Sequence, residues 1–271
     1  MKLVWLTDIH LDLLEQEERL CFYKQIADVS GDIILITGDI AEAYSVSLAL
    51  KEMAAVINKP LYFVLGNHDY YRGSVDLVRK EMRALTQQEP LLHWLPAAGV
   101  QLLGNDTVLL GQDGWADGRC GDYANSPVRL NDCRLILELE QSATLGRYPL
   151  LEAMQKLADQ DADNLKMSLI NAIKDHRPKK IIIMMHVPPF KEACLYEGVI
   201  SNDDYLPFFA SKITGDVLTQ IAQEHAGIQF IVLCGHTHSQ AYWQPLDNLI
   251  IKVGAADYMK PEIQEIIVIE C

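Results

Sequence analysis

The sequence predicts an α/β fold in which strands and helices alternate and the helices cover the sheet. Three observations predict it. Apolar runs of strand type (LVWLT, IILIT, LYFVL, IIIMM and FIVLC) recur along the chain. Segments with apolar residues at helical spacing lie between several of them. Each run leads into a polar cluster: Asp8-Ile9-His10, Gly38-Asp39, Gly66-Asn67-His68-Asp69, His186 and Gly235-His236-Thr237-His238.

Taken in order, Lys2–Thr7 reads as a strand and Leu13–Val29 as a helix that Gly31 ends, in the manner of a C-cap glycine. Asp32–Ile36 is a strand, Ser45–Val56 a helix, Leu61–Leu65 a strand and Gly73–Leu85 a helix. Gly99–Leu103 and Thr107–Gly111 are strands joined by the turn residues Gly104-Asn105-Asp106. Between Arg119 and Arg177 no strand pattern stands out. Val128–Ser142 and Leu150–Lys174 read there as helices separated by Gly146-Arg147-Tyr148-Pro149. Lys180–Met185 is a strand, Gly215–His225 a helix and Gln229–Cys234 a strand. Three tail strands follow at Gln240–Trp243, Leu249–Val253 and Ile263–Ile269. No repeat or linker forces a cut. The simplest organisation is one domain over residues 1–271 with a helical insertion at about 119–160.

Composition bounds the function. The chain has 271 residues, is 49% hydrophobic and 22% charged, and carries a net charge of -14. A core of ordinary size follows. The acidic balance argues against a nucleic-acid partner, because such proteins usually present a basic face. The six cysteines, Cys21, Cys120, Cys133, Cys194, Cys234 and Cys271, show no Cys-x-x-Cys pair, so a disulfide framework is not expected. Cys234, inside a strand run, reads as a small core residue. No signal peptide is visible and no apolar run reaches the roughly 18 residues that span a bilayer, so a cytoplasmic enzyme with no membrane partner is expected.

Five strand-end clusters would converge on one sheet edge. Asp8, Asp39, Asn67, His10, His186, His236 and His238 would then lie together. Mixed carboxylate and imidazole donors suit zinc, iron or manganese rather than calcium. Seven side chains exceed the four of a structural zinc and fit two adjacent divalent ions bridged by one carboxylate. Singly the motifs are weak, and a Gly-Asp after a strand is more often a turn. Gly-His-Thr-His is stronger, because residues two apart on an extended segment point the same way. The ordered set carries the argument.

That order, D-x-H, GD, GNH[DE], H and GHxH from Asp8 to His238, resembles the calcineurin-like metallophosphoesterases. The resemblance implies a sandwich of two mixed β-sheets flanked by helices. It assigns Asp8, His10, Asp39 and His238 to a first metal, and Asp39, Asn67, His186 and His236 to a second. Asp39 bridges them, and a hydroxide shared by both ions is the implied nucleophile. His68 is implied to face the substrate and protonate the leaving oxygen, with Asp69 left as a structural residue. The catalytic set is thus His68, Asp39 and Asn67.

Departures narrow the relationship. The GDxVDRG and GNHE segments of protein phosphatases are replaced by Gly38-Asp39-Ile40-Ala41-Glu42-Ala43 and Gly66-Asn67-His68-Asp69. Glu42 stands where purple acid phosphatases carry an iron-binding tyrosine. The set is similar to the cyclic-nucleotide phosphodiesterase pattern, which names a reaction class more than a substrate. A small-molecule phosphomonoester or phosphodiester is the expected substrate. The alternatives are a nuclease acting on DNA ends and a non-catalytic scaffold.

Residues around the site complete the expectations. Tyr70, Arg72 and Phe190 are candidate substrate contacts, as are Arg119 and Arg129 for phosphate. Trp115, Asp117, Pro188, Pro189, Tyr196, Tyr205 and Phe208 lie on nearby loops, where aromatics either stack on an aryl group or plug the loop onto the core. His93, His176 and His225 read as structural.

Overall fold

A computed structural model describes residues 1–269. Two sheets face each other. The first has the order β13-β1-β2-β3-β4, from Glu265–Val268 (β13), Lys2–Leu6 (β1), Ile33–Thr37 (β2), Leu61–Val64 (β3) and Leu92–Trp94 (β4). The second has the order β11-β12-β10-β7-β6-β5, from Ala241–Leu246 (β11), Leu249–Val253 (β12), Gln229–Cys234 (β10), Lys180–Met184 (β7), Thr107–Gly111 (β6) and Gln101–Leu102 (β5). The central strands of each sheet pair in parallel, while β13, β11 and β5 join antiparallel at the edges. Leu195–Tyr196 (β8) and Val199–Ile200 (β9) form a separate small hairpin.

The strands read as unbroken apolar runs because both faces are covered. Leu3, Trp5, Leu35, Leu109, Ile182, Met184 and Leu233 fill the space between the sheets. Their neighbours Val4, Leu6, Ile34 and Ile36 point outward into a cluster shared with Gln16–Asp28 (α1), Val46–Ile57 (α2) and Val75–Gln88 (α3). On the second sheet, Ile181, Ile183, Val232 and Cys234 pack outward against Arg147–His176 (α7) and Lys212–Glu224 (α9). The remaining helices are the short Leu95–Ala98 (α4), Asp132–Leu135 (α5), Leu137–Leu145 (α6) and Leu206–Phe209 (α8). Period-two alternation therefore distributes each strand between two cores.

Several expectations are corrected. Gly31 is not a left-handed cap: α1 ends at Asp28 with an extended Val29. Gly31 is needed for space instead, since a Cβ there would strike the Val4 side chain. The expected helix from Val128 starts only at Asp132 and breaks at Ile136, whose extended backbone bridges Gly73. Pro149 does not separate helices. It sits in the first turn of α7, where its missing N–H costs nothing. That helix runs unbroken past Gln160 to His176. Its Met154 and Ala158 join the first outer cluster, and its Leu165 and Leu169 the second. Strand β4 and the β8–β9 hairpin gave too short a pattern to read.

The described cysteines are all free thiols; Cys271 lies outside the described residues. Burial pushes the Cys234 thiol up, as for a core residue. His93 stacks on Tyr62 at 4.5 Å, and His176 and His225 stand at the ends of α7 and α9. Among the described residues no helix is long and apolar enough to cross a membrane.

Candidate metal centre

Asp8, Asp39 and Asn67 follow the carboxyl ends of β1, β2 and β3, while His186 and His236 follow β7 and β10. Parallel strands put all these ends on one side of the sandwich. The turn there is tight. Asp8, His10, Asp39, His236 and His238 have φ between 39° and 75°, the left-handed region that non-glycine residues seldom occupy. The backbone is pinned by Asp8 N–H to Gly38 O at 3.1 Å, His10 N–H to Asp39 O at 3.0 Å and Gly235 N–H to His186 O at 2.9 Å. Gly66 and Gly235 must be glycine by contact. A Cβ on Gly66 would strike the Asp39 carboxylate, and one on Gly235 that of Asp8.

Two groups of donor atoms result. Asp8, His10, Asp39 and His238 present ligand atoms all within 4.8 Å of one another. Within this group the Nε2 atoms of His10 and His238 are 3.3 Å apart, and His238 Nε2 is 3.3 Å from Asp8 Oδ1. In the second group, Asn67 Oδ1 lies 3.0 Å from both His186 Nε2 and His236 Nδ1, and those nitrogens are 3.3 Å apart. Two imidazole nitrogens on one tetrahedral zinc are about 3.3 Å apart, so these separations fit a shared cation.

The tautomers are fixed from behind. His186 Nδ1 donates to Thr37 O at 2.8 Å, and His236 Nε2 donates to Phe208 O at 2.9 Å. Each ring therefore turns its other nitrogen inward, as second partners do for metal-binding histidines. The electrostatics agree. Burial disfavours charge on His186, yet the adjacent Asp39 carboxylate pushes its pKa up to about 10. Burial opposes Asp39 as well, but His186 and His68 hold its carboxyl well below the usual range. At His10 burial prevails, and the pKa falls to about 4. A buried pair of carboxylates thus favours a cationic guest.

His68 sits at the rim. Its N–H donates to Asp39 Oδ1 at 2.9 Å, its Nε2 is 3.9 Å from Asp39 Oδ2, and its ring stacks on Tyr71 at 4.2 Å. Its side chain is more exposed than those of His10 and His186. Asp69 is a buried structural tie. It accepts from Ile40 N and Ala41 N at 2.8 and 2.9 Å and from Gly66 N at 2.7 Å, holding two site loops together.

Comparison with curated proteins returns no match. A family model described as calcineurin-like phosphoesterase matches residues 1–240. The chain belongs to this family. It is accordingly a metal-dependent phosphoric ester hydrolase. Solved structures share the fold at low identity. They include phosphopantetheinyl hydrolase from Mycobacterium tuberculosis (11% identity, 95% of this chain and 89% of that one, TM-score 0.60). A dimetal phosphatase from Danio rerio shows 12% identity, 94% and 87% coverage and a TM-score of 0.56. A purple acid phosphatase from yellow lupin seeds shows 12% identity, 93% and 43% coverage and a TM-score of 0.51.

In this calcineurin-like phosphoesterase some expected contacts fall elsewhere. Tyr70 is fully buried and its hydroxyl donates to Asp113 Oδ2 at 2.6 Å. Phe190 packs against the helix side of the second sheet, beside Gly215, and not into the centre. Arg72 pairs with Glu42 at 2.9 Å. Arg119 is held by Asp117 at 3.1 Å and by Asp159 at 2.8 Å, and Arg129 lines a separate cavity with Tyr123 and Arg147. Trp115 and Phe208 are buried, and Asp117 accepts from Ile213 N at 2.8 Å to tie its loop to α9.

Three supporting residues escaped the sequence reading. Asp113 accepts from Leu65 N, Trp94 Nε1 and Tyr70 Oη, while its carbonyl accepts His186 N–H at 2.8 Å. It follows β6 as Asp8 follows β1, and that analogy was a usable signal. Asp132 accepts from Asn67 Nδ2 at 2.8 Å and from Tyr71 Oη at 2.7 Å. Tyr258, half exposed, lies 4.8 Å from His10 and 4.9 Å from His238, ring centre to ring centre. Neither has a local sequence signal.

Proposed function

We propose that the centre holds two divalent cations, manganese, iron or zinc, and hydrolyses a small phosphomonoester or phosphodiester. The first ion would take Asp8, His10, Asp39 and His238; the second would take Asp39, Asn67, His186 and His236. The observation that carries this reading is the span of Asp39. Its Oδ1 lies 3.4 Å from His186 Nε2 and its Oδ2 3.9 Å from His10 Nε2, so one carboxylate faces both donor groups. The description of the Danio rerio structure as a dimetal phosphatase supports it.

Bound there, such cations supply Lewis acidity toward water and toward phosphoryl oxygens. The chain supplies the rest. Asp39 and Asp8 fix the charge of the site, and Asn67 orients a neutral oxygen between two imidazoles. His68, more exposed than His10 and His186 and stacked on Tyr71, is positioned to give its proton to the leaving oxygen as the P–O bond breaks. The net charge of -14 favours a small ester over a nucleic acid.

Metal analysis at saturating manganese, combined with an aryl phosphate and phosphodiester assay, tests the reading. Two ions per chain and hydrolysis abolished by chelation are expected. Saturation at one ion per chain would refute the dinuclear assignment, and faster cleavage of DNA than of any small ester would refute the substrate class.

A further inference from the structure

The centre opens to solvent beside two histidines. The His68 and His238 side chains expose 24% and 22% of their surface, whereas those of Asp8, His10, Asp39 and His186 expose at most 2%. A molecule that reaches the first donor group from solvent therefore meets His68 and His238.

Tyr258 stands at this mouth. Its ring centre is 4.8 Å from that of His10, 4.9 Å from that of His238 and 6.5 Å from that of His68. It nonetheless exposes 53% of its surface, and its hydroxyl bonds to no described residue. Tyr71, the tyrosine stacked on His68, is by contrast buried, and its hydroxyl is taken up by Asp132. The loop holds Tyr258 in place without hydrogen bonds from its side chain. Gly254 N–H donates to Cys234 O at 3.0 Å and Ala256 N–H to His238 O at 3.2 Å. Gln264 Oε1 accepts from Ala255 N at 2.9 Å, and its Nε2 donates to Ala255 O at 2.8 Å. Lys260 N–H closes the turn on Asp257 O at 3.1 Å. A ring fixed in advance loses little freedom when a ligand packs on it.

The chemistry brings a substrate to this ring. As the acid, His68 must touch the leaving oxygen, so the organic group starts within hydrogen-bond reach of its imidazole. Tyr71 and His10 cover two sides of that imidazole, with ring centres at 4.2 and 4.7 Å. Toward solvent its aromatic neighbour is Tyr258. We propose that the exposed ring of Tyr258 packs against the leaving group and so favours phosphoesters whose leaving group is planar and aromatic. This rests on the phosphoesterase reading and on His68 as the acid. One aromatic pair changes affinity about two- to tenfold beyond the area it buries.

The test uses the full chain loaded with manganese and three non-hydrolysable probes titrated by calorimetry: methylphosphonate, benzylphosphonate and cyclohexylmethylphosphonate. Their methylene carbon stands where the leaving oxygen would be. Benzylphosphonate is expected to bind about threefold or more tightly than either of the others. Tyr258→Phe should keep that preference, and Tyr258→Leu and Tyr258→Ala should bring it near one at unchanged manganese content. Leucine still covers His10 and His238, so Tyr258→Leu decides the matter where Tyr258→Ala loses manganese. No binding of benzylphosphonate, or a native preference near one, overturns the proposal. So does a preference that Tyr258→Leu leaves intact, or cyclohexylmethylphosphonate binding as tightly as benzylphosphonate. A preference lost in Tyr258→Phe as fully as in Tyr258→Leu would move the contact to the hydroxyl and overturn packing on the ring. If neither methyl nor benzyl phosphate is hydrolysed, the phosphoesterase reading fails, while the phosphonate preference still decides the role of Tyr258.

Discussion

Asn67 Nδ2 donates to Asp132 Oδ1 at 2.8 Å, and this bond turns the Asn67 carbonyl oxygen toward His186 and His236, 3.0 Å from each. Asp132 is distant in sequence from every strand-end motif, yet it sets which end of the amide faces the centre. Asp132→Ala is expected to weaken the second cation site about 10- to 100-fold, the usual effect of removing an outer partner. Asp132→Asn should lose less, because its side-chain oxygen can still accept. Manganese titration of the two variants checks this; unchanged affinity in Asp132→Ala would show that Asn67 orients itself.

Asp39→Ala should be the most damaging change among the donors. It removes an oxygen from each group and also the acceptor for His68 N–H. Bound manganese is expected to fall below one ion per chain, with activity lost. A variant that retains two ions would show that Asp39 does not bridge.

His68→Asn should keep both ions and lower kcat roughly 10²- to 10⁴-fold on alkyl esters. The loss should shrink for nitrophenyl esters, whose leaving group needs little protonation. Equal losses on both classes at full metal occupancy would remove His68 from the acid role.

Behind the centre, Arg79 Nη2 lies 2.7 Å from Asp161 and 3.2 Å from Asp113, and all three side chains are largely buried. Arg79→Met leaves two carboxylates without their cation and should cost about 3–5 kcal/mol. Urea unfolding measures this, and a loss below about 1 kcal/mol would mean that the carboxylates protonate or rearrange at little cost.

Glu138 of α6 caps another helix. It accepts from Ser74 Oγ at 2.6 Å and from Val75 N at 3.0 Å, at the N-terminus of α3. Burial opposes its charge, but these bonds prevail and hold its carboxyl below the ordinary value of 4.5. The folded state therefore binds this proton less readily than the unfolded one. The stabilisation is full above pH 4.5 and is lost as pH falls through the folded value. Glu138→Gln should be less stable at pH 7 by a few tenths to about 1 kcal/mol. The two proteins should converge in acid, and a gap that stays constant down to pH 3 would rule the ionised cap out.

The sequence by itself determined the α/β class and the strand-end set from Asp8 to His238. Strands covered on both faces leave continuous apolar runs, and the polar residues that end them stand out against those runs. Parallel pairing then carries Asp8, Asp39, Asn67, His186 and His236 to one edge. Only the tertiary structure decided what surrounds them. Tyr70 and Asn67 stand three residues apart, yet the short helical turn at His68–Tyr70 sends Tyr70 into the core toward Asp113. Asp132, Tyr258 and Phe209 reach the centre without any local motif to mark them, because long-range packing of α5, the tail loop and α8 places them there. Local pattern records which residues a strand buries; it does not record which distant side chain completes a hydrogen bond.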